Sequence, residues 1–186
     1  MSDGEQFDGP KDGVDVDGVD VERDGAFVHQ RHKPTSDGGA RELVLACPPL
    51  RSNINVARIV RAATCSGVQR MIVAGNPKID PKVARNGLEH IEVERRRSLA
   101  PVLKQFRADG VPIVGLEQTT NSTLLSKFEF PRHCVLLVGH ERLGISEELL
   151  GLVDHVVEIP VFGLPYSFNV ATATAMALYE YCRQHG

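Results

Sequence analysis

The chain has 186 residues, 42% of them hydrophobic, no tryptophan and a formal net charge of −3. That length supports one domain with a substantial core. No apolar run approaches the ~20 residues of a membrane span, and the acidic N-terminus lacks the basic-then-apolar layout of a signal peptide, so the expectation is a soluble cytoplasmic protein with no membrane partner. Cys47, Cys65, Cys134 and Cys182 form no CxxC pair and read as buried free thiols. None of the seven histidines stands at metal-ligand spacing, so no metal is expected.

The net charge hides an asymmetry. Residues 1–30 hold nine acids against two bases, a charge of −7, and the remainder carries +4. Residues 1–38 repeat Asp and Gly with few large apolar side chains, a composition that cannot offset its ordering entropy, so a disordered acidic tail is predicted. The Asp15–Asp20 repeat lacks the ligand spacing and closing Glu of a calcium loop. A basic body permits a polyanionic partner, and the tail could mimic one.

From residue 39 on, apolar strands alternate with amphipathic helices. Leu43–Cys47 reads as a buried strand, followed by a helix with Asn53 or Asn55 as its cap, Val56, Ile59, Val60 and Ala63 as its apolar stripe and Gly67 as its stop. Met71–Ala74 is a second strand, then a helix near 82–89 and a short strand around Ile91–Val93. Ser98 is the predicted cap of a helix ending at Gly110. Strands at Val111–Leu116 and Cys134–Val138 follow, then a short helix from Ser146 through Leu152, a strand at Val156–Ile159 and a final helix over Val170–Arg183. This is an α/β pattern with a mostly parallel sheet and helices on both faces, in which ligands bind where loops leave the carboxyl ends of strands.

Three segments interrupt the regular pattern. In Asn53–Arg61, Asn55 stands at a helix start, and Arg58 and Arg61 share one face, a pair suited to a ribose-phosphate backbone or simply to solvent. In Gly139-His140-Glu141-Arg142-Leu143-Gly144, glycines allow close backbone approach after a strand, and Glu141 is either a ligand contact or a helix-cap partner. The order Gly-Lys-Ser/Thr of a phosphate loop and the GxGxxG of a dinucleotide site are both missing. In Ile159–Val170, a strand runs through a Gly/Pro turn to Ser167 and Asn169 and straight into a helix, collecting main-chain donors, acceptors and a helix N-terminus at one point. Leu116–Thr119 ends another strand and could face the same cleft.

Taken in order, these segments resemble the SpoU/TrmH family of the SPOUT superfamily, S-adenosylmethionine-dependent RNA ribose 2′-O-methyltransferases. The resemblance rests on Asn55 with Arg61 six residues on, on Gly139, Glu141 and Gly144, and on Ile159, Pro160, Gly163, Ser167 and Asn169, and it spans roughly residues 41–183. The stretch Gly115–Ser122, Glu141-Arg142 and Tyr181–Gln184 look most like the eukaryotic-type tRNA guanosine branch.

The resemblance implies a SPOUT domain over 39–186 with a C-terminal trefoil knot, a homodimer with its active site at the subunit interface, and S-adenosylmethionine held in the knot. It implies Arg61, Asn55, Ser167 and Asn169 as catalytic, with Arg58 and Arg61 on RNA. Gly115, Glu117, Gly139, Glu141, Ile159, Leu164 and Phe168 are implied around the cofactor. Arg61 would act on the ribose 2′-hydroxyl either as a base or as an anchor for phosphate and alkoxide charge. The anchor is physically preferred, because a protonated guanidinium has no acceptor. Phe168 stands where the family has Leu, and Pro165-Tyr166 where it often has a charged or polar residue. Ribosomal RNA as substrate, or a silent RNA-binding relative, are the alternatives.

Overall fold

A computed structural model describes residues 39–186; the predicted acidic tail lies outside them. Seven strands form one sheet, β1 (Arg41–Cys47), β2 (Val68–Ala74), β3 (Glu92–Arg96), β4 (Ile113–Leu116), β5 (Thr123–Leu124), β6 (Cys134–Val138) and β7 (His155–Glu158). Their order across the sheet is β3-β2-β1-β6-β4-β7-β5, and every neighbouring pair is parallel. The helices are α1 (Asn53–Cys65), α2 (Pro81–Ala84), α3 (Ala100–Ala108), α4 (Glu147–Leu150) and α5 (Val170–His185), with 3-10 turns at Gly87–Glu89 and Leu125–Lys127.

The unbroken apolar strands follow from burial on both faces. Along β1, Leu43, Leu45 and Cys47 join one core cluster with Val56 and Ile59 of α1 and Leu178 and Tyr181 of α5. Val44 and Ala46 point the other way, into a second cluster with Leu103 of α3 and Leu149 of α4. The sheet is therefore covered on both sides, as its sequence pattern requires. Tyr181, fully buried, donates its hydroxyl to the Arg132 carbonyl, which ties α5 to the loop before β6.

Several boundaries differ from the sequence reading. Ser52, not Asn53 or Asn55, caps α1, with its Oγ accepting from Asn55 N at 3.3 Å. Asn55 is instead buried inside the helix, its amide turned to tertiary partners. Gly67 does end α1, at φ 75° and bonded back to the Thr64 carbonyl. Ser98 caps nothing: α3 begins after Leu99, with no side-chain cap and a proline in its first turn. The helix foreseen near 82–89 is broken into α2 and a 3-10 turn by Arg85 and Asn86, both in the left-handed region. Two-residue β5 went unforeseen. Of the cysteines, Cys47 and Cys134 are buried but Cys65 is exposed. Burial pushes the Cys47 thiol up, helped by the Glu141 charge, and lifts that of Cys134 to about 12.

Candidate active site

All seven strands run the same way, so their carboxyl ends form one rim. A cleft of about 460 Å³ opens there over β4, β6 and β7. Its walls come from Leu116, Glu117 and Gln118 after β4, from Val138–Arg142 and Gly144 after β6, and from the loop between β7 and α5. Three strand ends converging on one cleft match the general rule for open parallel sheets.

The loop after β6 is built by its glycines. His140 and Gly144 exchange two backbone hydrogen bonds of 2.9 and 3.0 Å, closing a tight ring. Gly144 sits at φ 65°, and a Cβ there would lie 2.3 Å from Glu117 Oε2; one on Gly139 would lie 3.0 Å from the Gly144 backbone. Both glycines thus make room for the Glu117 carboxylate, which accepts from Ile145 N at 2.9 Å and Gln118 N at 3.0 Å. The His140 ring turns inward over the loop, its Nδ1 accepting from Arg142 N and Leu143 N.

Glu141 links this loop to α1. Its carboxylate accepts from Arg51 N and Ser52 N, each at 3.0 Å, and from Asn55 Nδ2 at 3.2 Å. Burial acts to raise its pKa, but the backbone N–H groups of Arg51 and Ser52, with the Asn55 amide, outweigh that and bring it to about 2. A fixed negative charge at a helix N-terminus is also the favourable sign. Asn55 then accepts, through Oδ1, from Asn169 Nδ2 at 3.2 Å, and Asn169 Oδ1 caps α5 by accepting from Ala171 N at 2.9 Å. One chain of hydrogen bonds, Glu141–Asn55–Asn169, joins three segments far apart in sequence.

Of the residues singled out from sequence, Glu117, Gly139, Glu141, Ile159, Ser167, Phe168 and Asn169 line the cleft, and Asn55 lies behind it in the hydrogen-bond chain. Gly115 lies within β4, where a Cβ would meet Ile145 and Val153 on the far face. Leu164 is outside the lining and 76% exposed. Arg58 and Arg61 are exposed on the outward face of α1, also outside the lining. Sequence reasoning missed His140 and Glu158, the latter accepting from Ser122 Oγ at 2.8 Å. His140 fills the open position of Gly-x-Glu and could have been suspected; nothing marked Glu158.

Residues 42–179 match the SpoU rRNA Methylase family. The chain belongs to that family. Among relatives of this SpoU-family chain, a mouse protein named tRNA (guanosine(18)-2'-O)-methyltransferase TARBP1 is 33% identical over 152 residues, covering 82% of the chain. The chain spans only 9% of that mouse protein's length. Among solved structures, the A. aeolicus TrmH/SpoU tRNA modifying enzyme superposes with a TM-score of 0.74 at 26% identity, covering 78% of this chain and 76% of that one. AviRb from Streptomyces viridochromogenes, a SpoU methyltransferase solved in complex with AdoMet, superposes at 0.68 with 28% identity, over 78% and 61% of the two chains. Among the described residues no His/Cys/Asp/Glu cluster could hold a metal ion, and no helix is long and apolar enough to cross a membrane.

Proposed function

We propose that residues 39–186 form the catalytic domain of an S-adenosylmethionine-dependent RNA ribose 2′-O-methyltransferase acting on tRNA guanosine. The observation that carries the reading is the Glu141–Asn55–Asn169 chain, which draws all three family segments to one cleft at the rim of the sheet. The mouse relative's name supports tRNA guanosine. Ribosomal RNA is the second reading, with the family's own description in its favour.

The cleft suits S-adenosylmethionine in size and chemistry. Leu116, Val138, Ile159 and Phe168 offer apolar surface for an adenine, and the carboxylates of Glu117 and Glu158 set negative charge beside a cationic ligand. When bound, the cofactor supplies an electrophilic methyl group. The protein's part is to align an acceptor hydroxyl, exclude water and handle its proton. The Asn55 amide and its own capping bond to Ala171 N hold Asn169 in place, two residues after Ser167 at the mouth of the cleft.

Arg61 lies on the outward face of α1, beside Ile54 (53% exposed) and Arg58. It would reach a reacting ribose across a subunit boundary, anchoring phosphate and developing alkoxide charge. A homodimer is supported by an apolar groove of about 450 Å³ beside α5, lined in part by Ile159, Pro160, Met176 and Tyr179. The adjoining loop exposes Phe162 at 95% and Tyr166 at 82%. The trefoil knot belongs to the same reading, as does a cytoplasmic location.

Calorimetry with S-adenosylmethionine tests the cofactor, and labelled methyl transfer to bulk tRNA against rRNA tests the substrate; sedimentation tests the dimer. No heat of binding and no transfer to either RNA would remove the proposal. Arg61→Ala should lower kcat by roughly 10²-fold with cofactor affinity unchanged. Arg61→Lys should recover only part of it, because an ammonium lacks the planar fork. A lysine variant of full activity would exclude any role that depends on guanidinium geometry.

A further inference from the structure

We propose that an anion site between strands β2 and β3, at one edge of the sheet, and helix α3 holds a backbone phosphate of the RNA whose ribose is presented at the cleft. This inference rests on the function proposed above. The site is a pocket of about 460 Å³, with Arg70, Arg96 and Arg97 on its strand side and Ser98, Phe106 and Asp109 on its helix side.

Three guanidinium groups line this pocket against two carboxylates, Glu94 paired with Arg70 and Arg96, and Asp109 at the far lip, which leaves one positive charge in excess. Arg70 Nε and Arg96 Nη2 each donate to one oxygen of Glu94, the latter at 2.6 Å. A guanidinium carries five N–H donors, so a single shared carboxylate consumes a small part of what Arg70 and Arg96 offer. Arg70 is also fixed from below, its Cζ standing 5.5 Å from the Phe106 ring centroid. Asp109 Oδ1 accepts from Gln105 Nε2 at 2.9 Å at the far lip. Glu94 thus acts as a spacer that orients two guanidinium forks, while Arg97 stands exposed beside them with its charge available. Oriented, donor-rich guanidinium groups select a phosphate by geometry as well as charge.

Position ties this pocket to the cleft. Arg96 is the last residue of β3 and pairs with Ala74 at the end of β2, so one end of the pocket reaches the rim that carries the cleft, while Arg70, opposite Glu92, and Asp109, just past α3, mark its other end on the α3 face of the sheet. Between β3 and β6 lie two strands, and at ~4.8 Å per strand the separation to β6 is roughly 14 Å. Exposed Lys78, in the loop after β2, donates its N–H to Asn53 Oδ1 at 3.2 Å at the start of α1. A folded RNA bridges that gap; a single nucleotide at the cleft does not. The contact is to the backbone, so it adds affinity and register without reading a base.

The test uses the full chain and its Arg97→Glu and Arg97→Lys variants, with fluorescently labelled bulk tRNA titrated across a range of KCl. Arg97→Glu should weaken binding by about fivefold or more at low salt and reduce the slope of log K against log[salt] by about one or more. Arg97→Lys should keep the slope. S-adenosylmethionine affinity should stay within about twofold of the parent in both, and KM for tRNA should rise with kcat held. If Arg97→Glu matches the parent in affinity and slope while the parent methylates RNA, the phosphate site is wrong and the function stands. If the parent methylates no RNA, the function falls and the phosphate site falls with it.

Discussion

Replacing Gly144 by alanine should cost about 3 kcal/mol of stability and disable the cleft. The new Cβ would fall 2.3 Å from Glu117 Oε2, at a φ of 65°. An L side chain in that region costs about 1–2 kcal/mol. The carboxylate must also swing out, giving up its hydrogen bonds to Ile145 N and Gln118 N, and a bond to a charged group is worth about 1.5–3 kcal/mol. For a domain of this size the melting temperature should fall by roughly 6–12 °C. Repeating the substitution in a Glu117→Ala background separates the two causes, since only the backbone penalty of about 1–2 kcal/mol should remain there. If Gly144→Ala costs the same in both backgrounds, the glycine is not there to make room for Glu117.

Glu141→Gln should be the second large loss, and the one that depends most on pH. The folded carboxyl titrates at about 2, below the ~4.3 of an unperturbed glutamate, so folding favours the charged form. Its contribution, on the order of 3 kcal/mol, is complete above about pH 5 and disappears as pH falls toward 2. Glutamine keeps one acceptor oxygen but must face either the Arg51 N–H or the Ser52 N–H with an NH₂, because the two bond different oxygens of the carboxylate. Urea denaturation at pH 7 should show a gap of about 3 kcal/mol between variant and parent, and at pH 3 more than half of it should be gone. A gap that is equal at the two pH values would mean that Glu141 acts by shape and not by charge.

These two sites also mark where sequence reading stops. The strands and long helices could be placed because burial on both faces leaves runs such as Leu43–Cys47 without a polar residue. Gly139, Glu117 and Ser167 could be assigned to a cleft because strand ends gather ligands in parallel sheets. The caps were harder. Asn55 has the residue type of a cap and stands at a helix start, but its two amide atoms serve Glu141 and Asn169, 86 and 114 residues away. No local pattern encodes such a partner. The same holds for the neighbours of β1, since strand order depends on contacts across the whole chain. Arg58 and Arg61 are readable as a charged helical face, yet their distance from the cleft appears only in three dimensions.

The strand order has a consequence for how the chain acquires its structure. β1 lies inside the sheet, yet one of its two neighbours, β6, lies about ninety residues downstream, with Leu43 opposite Cys134. At the synthesis rate of roughly 5–20 residues per second, that edge waits on the order of 5–20 s for its partner. During that interval an apolar strand presents unpaired N–H and C=O groups to anything nearby. The cleft, which needs β4, β6, β7 and the start of α5 together, can only come into being after nearly the whole chain has been made. Pairings this distant in sequence make for slow folding, and a cell making this protein quickly would have good reason to shield β1 on the ribosome.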